Sequence, residues 1–225
     1  YYKGTFESDG VHRTVVVASA LQKGMASSAA LASKLVLKFK PKLLTMAGIC
    51  AGVRGKVGLG DVVVGNPTWD WGSGKHAEND EGSAVFRLAP KQSELPVALA
   101  TLCDEIARSP DFHRNVRAGW EGTVPSNKFQ GHVGPMASGA SVVASASVGQ
   151  EIANQNKDLI AIEMEAFAVM VAAEYSLMDS MYAVAIKSVC DFADATKDDN
   201  WQPYAAYTSA SFVDALLRSF FTALK

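Results

Sequence analysis

The sequence predicts an α/β domain built on a parallel or mixed sheet, and three observations lead there. Short β-branched runs alternate with longer Ala- and Leu-rich stretches. One strand–helix–strand succession closes within about 35 residues, the reach of a βαβ crossover. The 225 residues are 48% hydrophobic and 20% charged, enough to bury a sizeable core and far from a disordered composition.

The elements follow in order. Thr14-Val15-Val16-Val17-Ala18 reads as a buried strand because β-branched residues fit a pleated surface. Met25 to Phe39 reads as a helix that Lys40-Pro41 closes. Leu43 to Ala47 is the next strand, entering a glycine turn from Gly48 to Gly52, and Asp61 to Val64 is the third. Tyr182 to Ser188 is a fourth, strongly apolar strand. Pro96 to Ala107, Ala161 to Tyr175 and Ser211 to Leu224 read as helices. The stretches 69–91 and 109–132 are polar and irregular, and loops that long inside a compact domain are usually functional or mobile. Nothing repeats, so a single domain over 1–225 is expected.

Several function classes drop out. A formal charge of 21 − 23 = −2 gives no basic face for nucleic acid. No apolar run reaches the roughly 18 residues that a membrane span needs. Three widely spaced cysteines, Cys50, Cys103 and Cys190, speak against a disulfide framework and for a reduced, cytoplasmic setting. The four histidines show no ligand spacing, so neither a metal nor a cofactor is expected.

In open α/β sheets, ligands gather at the carboxyl ends of the strands. Two segments leave strands there: Gly48-Ile49-Cys50-Ala51-Gly52 and Cys190-Asp191-Phe192-Ala193-Asp194. Asp191 and Asp194 are either turn and cap residues or a carboxyl held partly out of water, ready to donate a proton. Glu163 and Glu165, two apart, cannot share a helix face; one turns to solvent or caps, and the other turns inward and needs buried donors. The glycine turn matches neither a dinucleotide fingerprint nor a P-loop. Trp69-Asp70-Trp71-Gly72-Ser73-Gly74-Lys75 is either a surface loop anchored by tryptophans or a base-stacking or phosphate-binding loop. Cys190 has no activating neighbour and reads as a small buried thiol.

In this order, four segments resemble the purine nucleoside phosphorylase and uridine phosphorylase superfamily, nearest to the methylthioadenosine/S-adenosylhomocysteine nucleosidases. They are Lys23-Gly24-Met25; Ala47 to Gly52 with Leu59-Gly60-Asp61-Val62-Val63; Ile162-Glu163-Met164-Glu165-Ala166; and Asp191-Phe192-Ala193-Asp194. The resemblance implies a three-layer α/β/α sandwich around a mixed, partly barrel-like sheet. It implies cleavage of the N-glycosidic bond of an adenine-type purine nucleoside or nucleotide. Asp191 then protonates N7 of the leaving base, Glu165 grips the ribose hydroxyls, and Met164 packs beneath the sugar. Val142, Val143 and Cys190 fall where the family binds the base, with Val142 in the place of a stacking aromatic and Cys190 in that of a serine. Met46 and Ile49 stand where phosphorylases hold phosphate, which favours hydrolysis. Gly48, Arg54 and Lys75 are the candidate phosphate or loop contacts should the reaction be phosphorolytic or the substrate a nucleotide. The likeness starts at the family's second strand, so its first strand and water-placing glutamate have no counterpart, and a longer parent protein is expected. A homodimer or dimer-based oligomer is also implied; Met178, Met181, Phe212, Phe220 and Phe221 are either apolar cover for it or ordinary core. A rival reading is a nucleoside-sensing or effector module of a signalling protein.

Overall fold

In the computed structural model, residues 1–176, 178, 181–194 and 199–224 are described. The first element is a hairpin rather than a buried strand at Thr14–Ala18. β1 (Tyr2–Ser8) and β2 (Val11–Val17) pair antiparallel in a sheet of their own. Asp9 and Gly10 join them at φ of 57° and 69°, the left-handed pair that a tight hairpin turn needs. No residue of β2 is buried, and β2 pairs with no other strand among the described residues. The expected βαβ crossover through α1 (Met25–Phe39) therefore does not lie within one sheet.

The central sheet has six strands in the order β10 (Tyr182–Asp191), β3 (Leu43–Gly52), β9 (Ala161–Glu163), β8 (Gly131–Ser138), β4 (Val62–Asp70), β7 (Gln92–Ser93). β10 also pairs with β4, so five strands close into a small barrel and β7 hangs on its rim. The sheet is mixed: β3–β10, β4–β8 and β8–β9 are parallel, while β3–β9, β4–β7 and β4–β10 are antiparallel. Val62, Val63 and Val64 and the run Val184-Ala185-Ile186 are fully buried, as strands covered on both faces are. α1 packs on α5 (Ala166–Glu174), while α2 (Val97–Arg108) and α3 (Pro110–Ala118) pack with α6 (Gln202–Ala223). Thr208 on α6 donates to the Ser188 hydroxyl at 2.8 Å, pinning that helix to β10.

Five further expectations need correction. β3 runs on to Gly52 and stays paired with β10, so the glycines lie in a strand and not in a turn. The supposed helix from Ala161 is first a strand, β9, whose Ile162 pairs with Ala51 and Ala137. The stretch 69–91 folds into an exposed hairpin, β5 (Gly74–Glu78) with β6 (Ala84–Leu88). Within 109–132, Ser109 caps α3 by accepting from the Phe112 amide, with Pro110 in the first turn. Finally, α6 begins nine residues before Ser211, opened by Pro203.

Candidate active site

Register alone assembles the site. β10 lies parallel to β3 and sets Asp191 beside Ala51. β9 lies antiparallel to β3 and sets Ile162 beside the same Ala51. β8 then places Ser138 opposite Glu163. One corner of the barrel thus gathers Asp191, Glu163 and Ser138 from three strand ends.

Glu163 is buried and saturated. It accepts from the Ser138 hydroxyl at 2.5 Å, from the amides of Glu165 and Ala166 at 2.9–3.0 Å, and from Lys187 Nζ at 2.8 Å. These amides open α5, so the carboxylate answers unpaired N–H groups at a helix start. Glu165 is different. Its Oε1 accepts from the Gly24 amide at 2.8 Å and its Oε2 from Lys187 Nζ at 3.0 Å. A carboxylate has about four lone-pair positions, so Glu165 retains acceptor capacity for further donors. Burial works to raise its pKa, but the charge and hydrogen bond of Lys187, helped by Gly24, outweigh that and leave it below the ordinary value.

Lys187 is the residue that the sequence reading missed. Its side chain is 2% exposed, in the middle of β10, and bridges both glutamates. Burial works against its charge, yet the two carboxylates push its pKa up to about 12. A single lysine inside Ala-Val-Ala-Ile-Lys-Ser-Val was the available signal. Neither glutamate turns to solvent: Glu163 caps the start of α5, the capping alternative expected of one of the pair, and Glu165 faces inward. Gly48 makes room for this ammonium: a Cβ there would stand 3.2 Å from Nζ.

Asp191 is buried at the end of β10, with Oδ1 accepting from the Ala193 amide at 3.0 Å. Cys190 is buried too, its thiol 3.5 Å from the Cys50 carbonyl oxygen and 3.4 Å from Asp191 Oδ2. It is thus packed behind Asp191 as a buried thiol. Burial, with Cys190 next in effect, holds the Cys50 thiol well above its ordinary pKa. Met164 lies half-buried between the glutamates, Val142 is exposed, and Val143 is buried in an apolar cluster with Ile162 and Ala193.

The two candidate cations do not gather at Glu165. Arg54 is held by Asp194, with Nη2 and Oδ2 2.6 Å apart, and its guanidinium lies 4.4 Å over the Phe192 ring. It braces the segment that follows Asp191. Lys75 lies on the exposed β5–β6 hairpin opposite Arg87.

A family model described as Phosphorylase superfamily matches residues 1–220. The chain belongs to that superfamily. Among relatives, a protein of Sinorhizobium fredii named uncharacterized protein y4jS is 36% identical over 190 residues, 84% of this chain and 46% of that protein. A death domain-containing ATP nucleosidase of Amphimedon queenslandica is 29% identical over 217 residues, 91% of this chain and 39% of its own. The ATP nucleosidase Cap17 of Escherichia coli is 27% identical over 212 residues, 88% and 40%. The chain thus spans less than half the length of these superfamily relatives. In fold it is similar to a 5′-methylthioadenosine/S-adenosylhomocysteine nucleosidase of S. pneumoniae, with a TM-score of 0.70 at 20% identity, over 97% of this chain and 86% of that one. That likeness bears out the expected nucleoside phosphorylase-like sandwich with its barrel-like sheet.

Proposed function

We propose that this superfamily member is a purine nucleosidase that hydrolyses the N-glycosidic bond of an adenine nucleotide, with ATP as the favoured substrate. The observation that carries this reading is the contrast between two neighbouring glutamates: Glu163 is saturated, while Glu165, oriented by Gly24 and Lys187, has acceptor capacity left. Vicinal ribose hydroxyls are suitable donors, and their bonds to a carboxylate strengthen as the sugar gains positive charge. Asp191, at the same corner, supplies the proton or hydrogen bond that makes N7 of the leaving base less basic. Water adds its oxygen to C1′ as the C1′–N9 bond breaks, leaving free adenine and ribose 5-triphosphate. Met164, between the two glutamates in sequence and half-buried, would pack beneath the sugar.

Hydrolysis is favoured over phosphorolysis by charge. One ammonium against two carboxylates leaves a net negative triad, and Arg54 is already engaged by Asp194. A phosphate dianion brought here meets the repulsion of that net negative triad. The choice of ATP rests on the two relatives named as ATP nucleosidases. One of them also carries a death domain in its name, which supports a place for this domain in a longer signalling protein.

The reading extends to a cytoplasmic homodimer or dimer-based oligomer. Of the side chains weighed as subunit cover or ordinary core, Phe212 and Phe220 are core residues, and Met178, Met181 and Phe221 are partly buried against the same core. The supporting surface is the groove where α1 meets α5, lined by Met25, Ala29, Phe167, Val171 and Tyr175. No helix among the described residues is long and apolar enough to cross a membrane.

The test is incubation with ATP, adenosine and methylthioadenosine, followed by chromatography for free adenine. Adenine released fastest from ATP supports the reading, and release from none of the three overturns it.

A further inference from the structure

We infer that Trp71 is a base-recognition residue, whose indole N–H donates to a ring nitrogen of the bound purine that Asp191 does not take. The inference rests on the reading of 139–143 and Asp191 as the base site. The two tryptophans at the end of β4 are treated differently by the fold. Trp69 is fully buried, and its N–H donates to Gln155 Oε1 at 3.3 Å. The same Gln155 side chain donates through Nε2 to the Trp71 carbonyl at 3.1 Å. The Trp71 amide donates to the Ser138 carbonyl at 3.0 Å, so its backbone is fixed beside the strand that leads into the base segment. Its indole Nε1 is buried and has no partner among the described residues. Buried polar groups are nearly always hydrogen-bonded, so an orphaned donor beside a ligand site asks for an explanation.

The ring belongs to this site by contact. A Cβ on Gly139 would stand 1.9 Å from Nε1, 2.2 Å from Cε2 and 2.6 Å from Cζ2 of Trp71. A point straight ahead of the N–H bond lies about 0.7 Å or more farther from Cε2 than that, so Gly139 lies over the face of the indole. The N–H therefore does not point straight at that position. Trp71 also packs against the apolar cluster that holds Val143 and Ala193, the latter two residues beyond Asp191. Val142, where the superfamily resemblance places a stacking aromatic, carries no ring. Trp71 supplies aromatic surface and a donor at the same wall.

The test measures binding of adenine, 1-deazaadenine and 3-deazaadenine to the wild-type protein and to Trp71→Phe, which keeps a ring and removes the donor. Trp71→Phe is expected to weaken adenine about fivefold, the worth of one ordinary hydrogen bond. One of the two deaza compounds is expected to show no such loss, because it lacks the acceptor. A second measurement uses the wild type alone: of its four tryptophan indole N–H resonances, that of Trp71 moves downfield when adenine is added. Equal adenine affinity of the two proteins, an equal loss on all three compounds or an unmoved Trp71 resonance would overturn the inference. If the wild type binds no adenine at all, the base site itself fails, and the inference falls with it.

Discussion

Lys187 Nζ lies 3.0 Å from Glu165 Oε2 and 2.8 Å from Glu163 Oε2, so one buried ammonium fixes two carboxylates that differ in what they have left to offer. The arrangement turns a short Glu-Met-Glu segment into a division of labour. Glu163 closes the start of α5 and joins it to β8 through Ser138. Glu165 is held by partners on two other elements and retains the acceptor capacity that a ligand can use.

The first prediction follows from that ion triad. Lys187→Met leaves two carboxylates buried without their cation, and breaking such a pair typically costs about 3–5 kcal/mol. Denaturant unfolding at neutral pH is expected to show a loss of that order. The pH dependence has a definite sign. Glu165 has a lowered folded-state pKa, so its contribution is present above the unfolded carboxylate value and lost as pH falls through the folded one. Lys187 has a raised one, so its contribution is present below about 10.5 and lost as pH climbs through about 12. A variant whose unfolding midpoint matches wild type across that range would remove the triad from any account of stability.

Much of this was readable from the chain, and the exceptions have physical reasons. Strands β3, β4 and β10 were legible because both their faces are covered and they read as apolar runs. β9 was not, because three residues between two longer strands carry no periodicity and merge into the helix that follows. The β5–β6 hairpin was hidden because its residues are exposed or only partly buried, so neither face needs to be apolar. Asp191 and Glu165 stood out as carboxylates among apolar neighbours. Lys187 did not, because its role depends on partners 22 and 24 residues earlier that only the closing of the barrel brings near.

Asp191→Asn keeps shape and removes the transferable proton. Base release is expected to fall by at least about 10²-fold while adenine binding survives, because acid–base help acts on the barrier and not on the ground state. Rates from single turnovers, set beside calorimetric binding, make the comparison. Wild-type turnover in the variant would return Asp191 to the role of a strand-end residue tied to Ala193.

Glu165→Gln swaps one acceptor oxygen for a donor and removes the charge that Lys187 neutralises. The affinity for ribosides is expected to drop more than that for free adenine, which presents no hydroxyls. A 2′-deoxy substrate is expected to lose less than the parent from the same change, since one of the two gripped hydroxyls is already gone. Equal losses on the ribo- and deoxyribo-substrates would place Glu165 away from the sugar.

Phosphate provides the last prediction, because it separates water from phosphate as the nucleophile. Four of the positions weighed for phosphate are apolar or otherwise engaged. Met46 and Ile49 on β3 are apolar. The space above Gly48 is filled by Lys187, whose charge two glutamates already answer. Arg54 is clasped by Asp194 and stacked on Phe192. Adenine release from ATP is therefore expected to proceed at the same rate with and without added inorganic phosphate, and the sugar product to be ribose 5-triphosphate with a free C1′ hydroxyl. A 1-phosphorylated sugar that grows in proportion to added phosphate, in the wild type, would make the enzyme a phosphorylase after all.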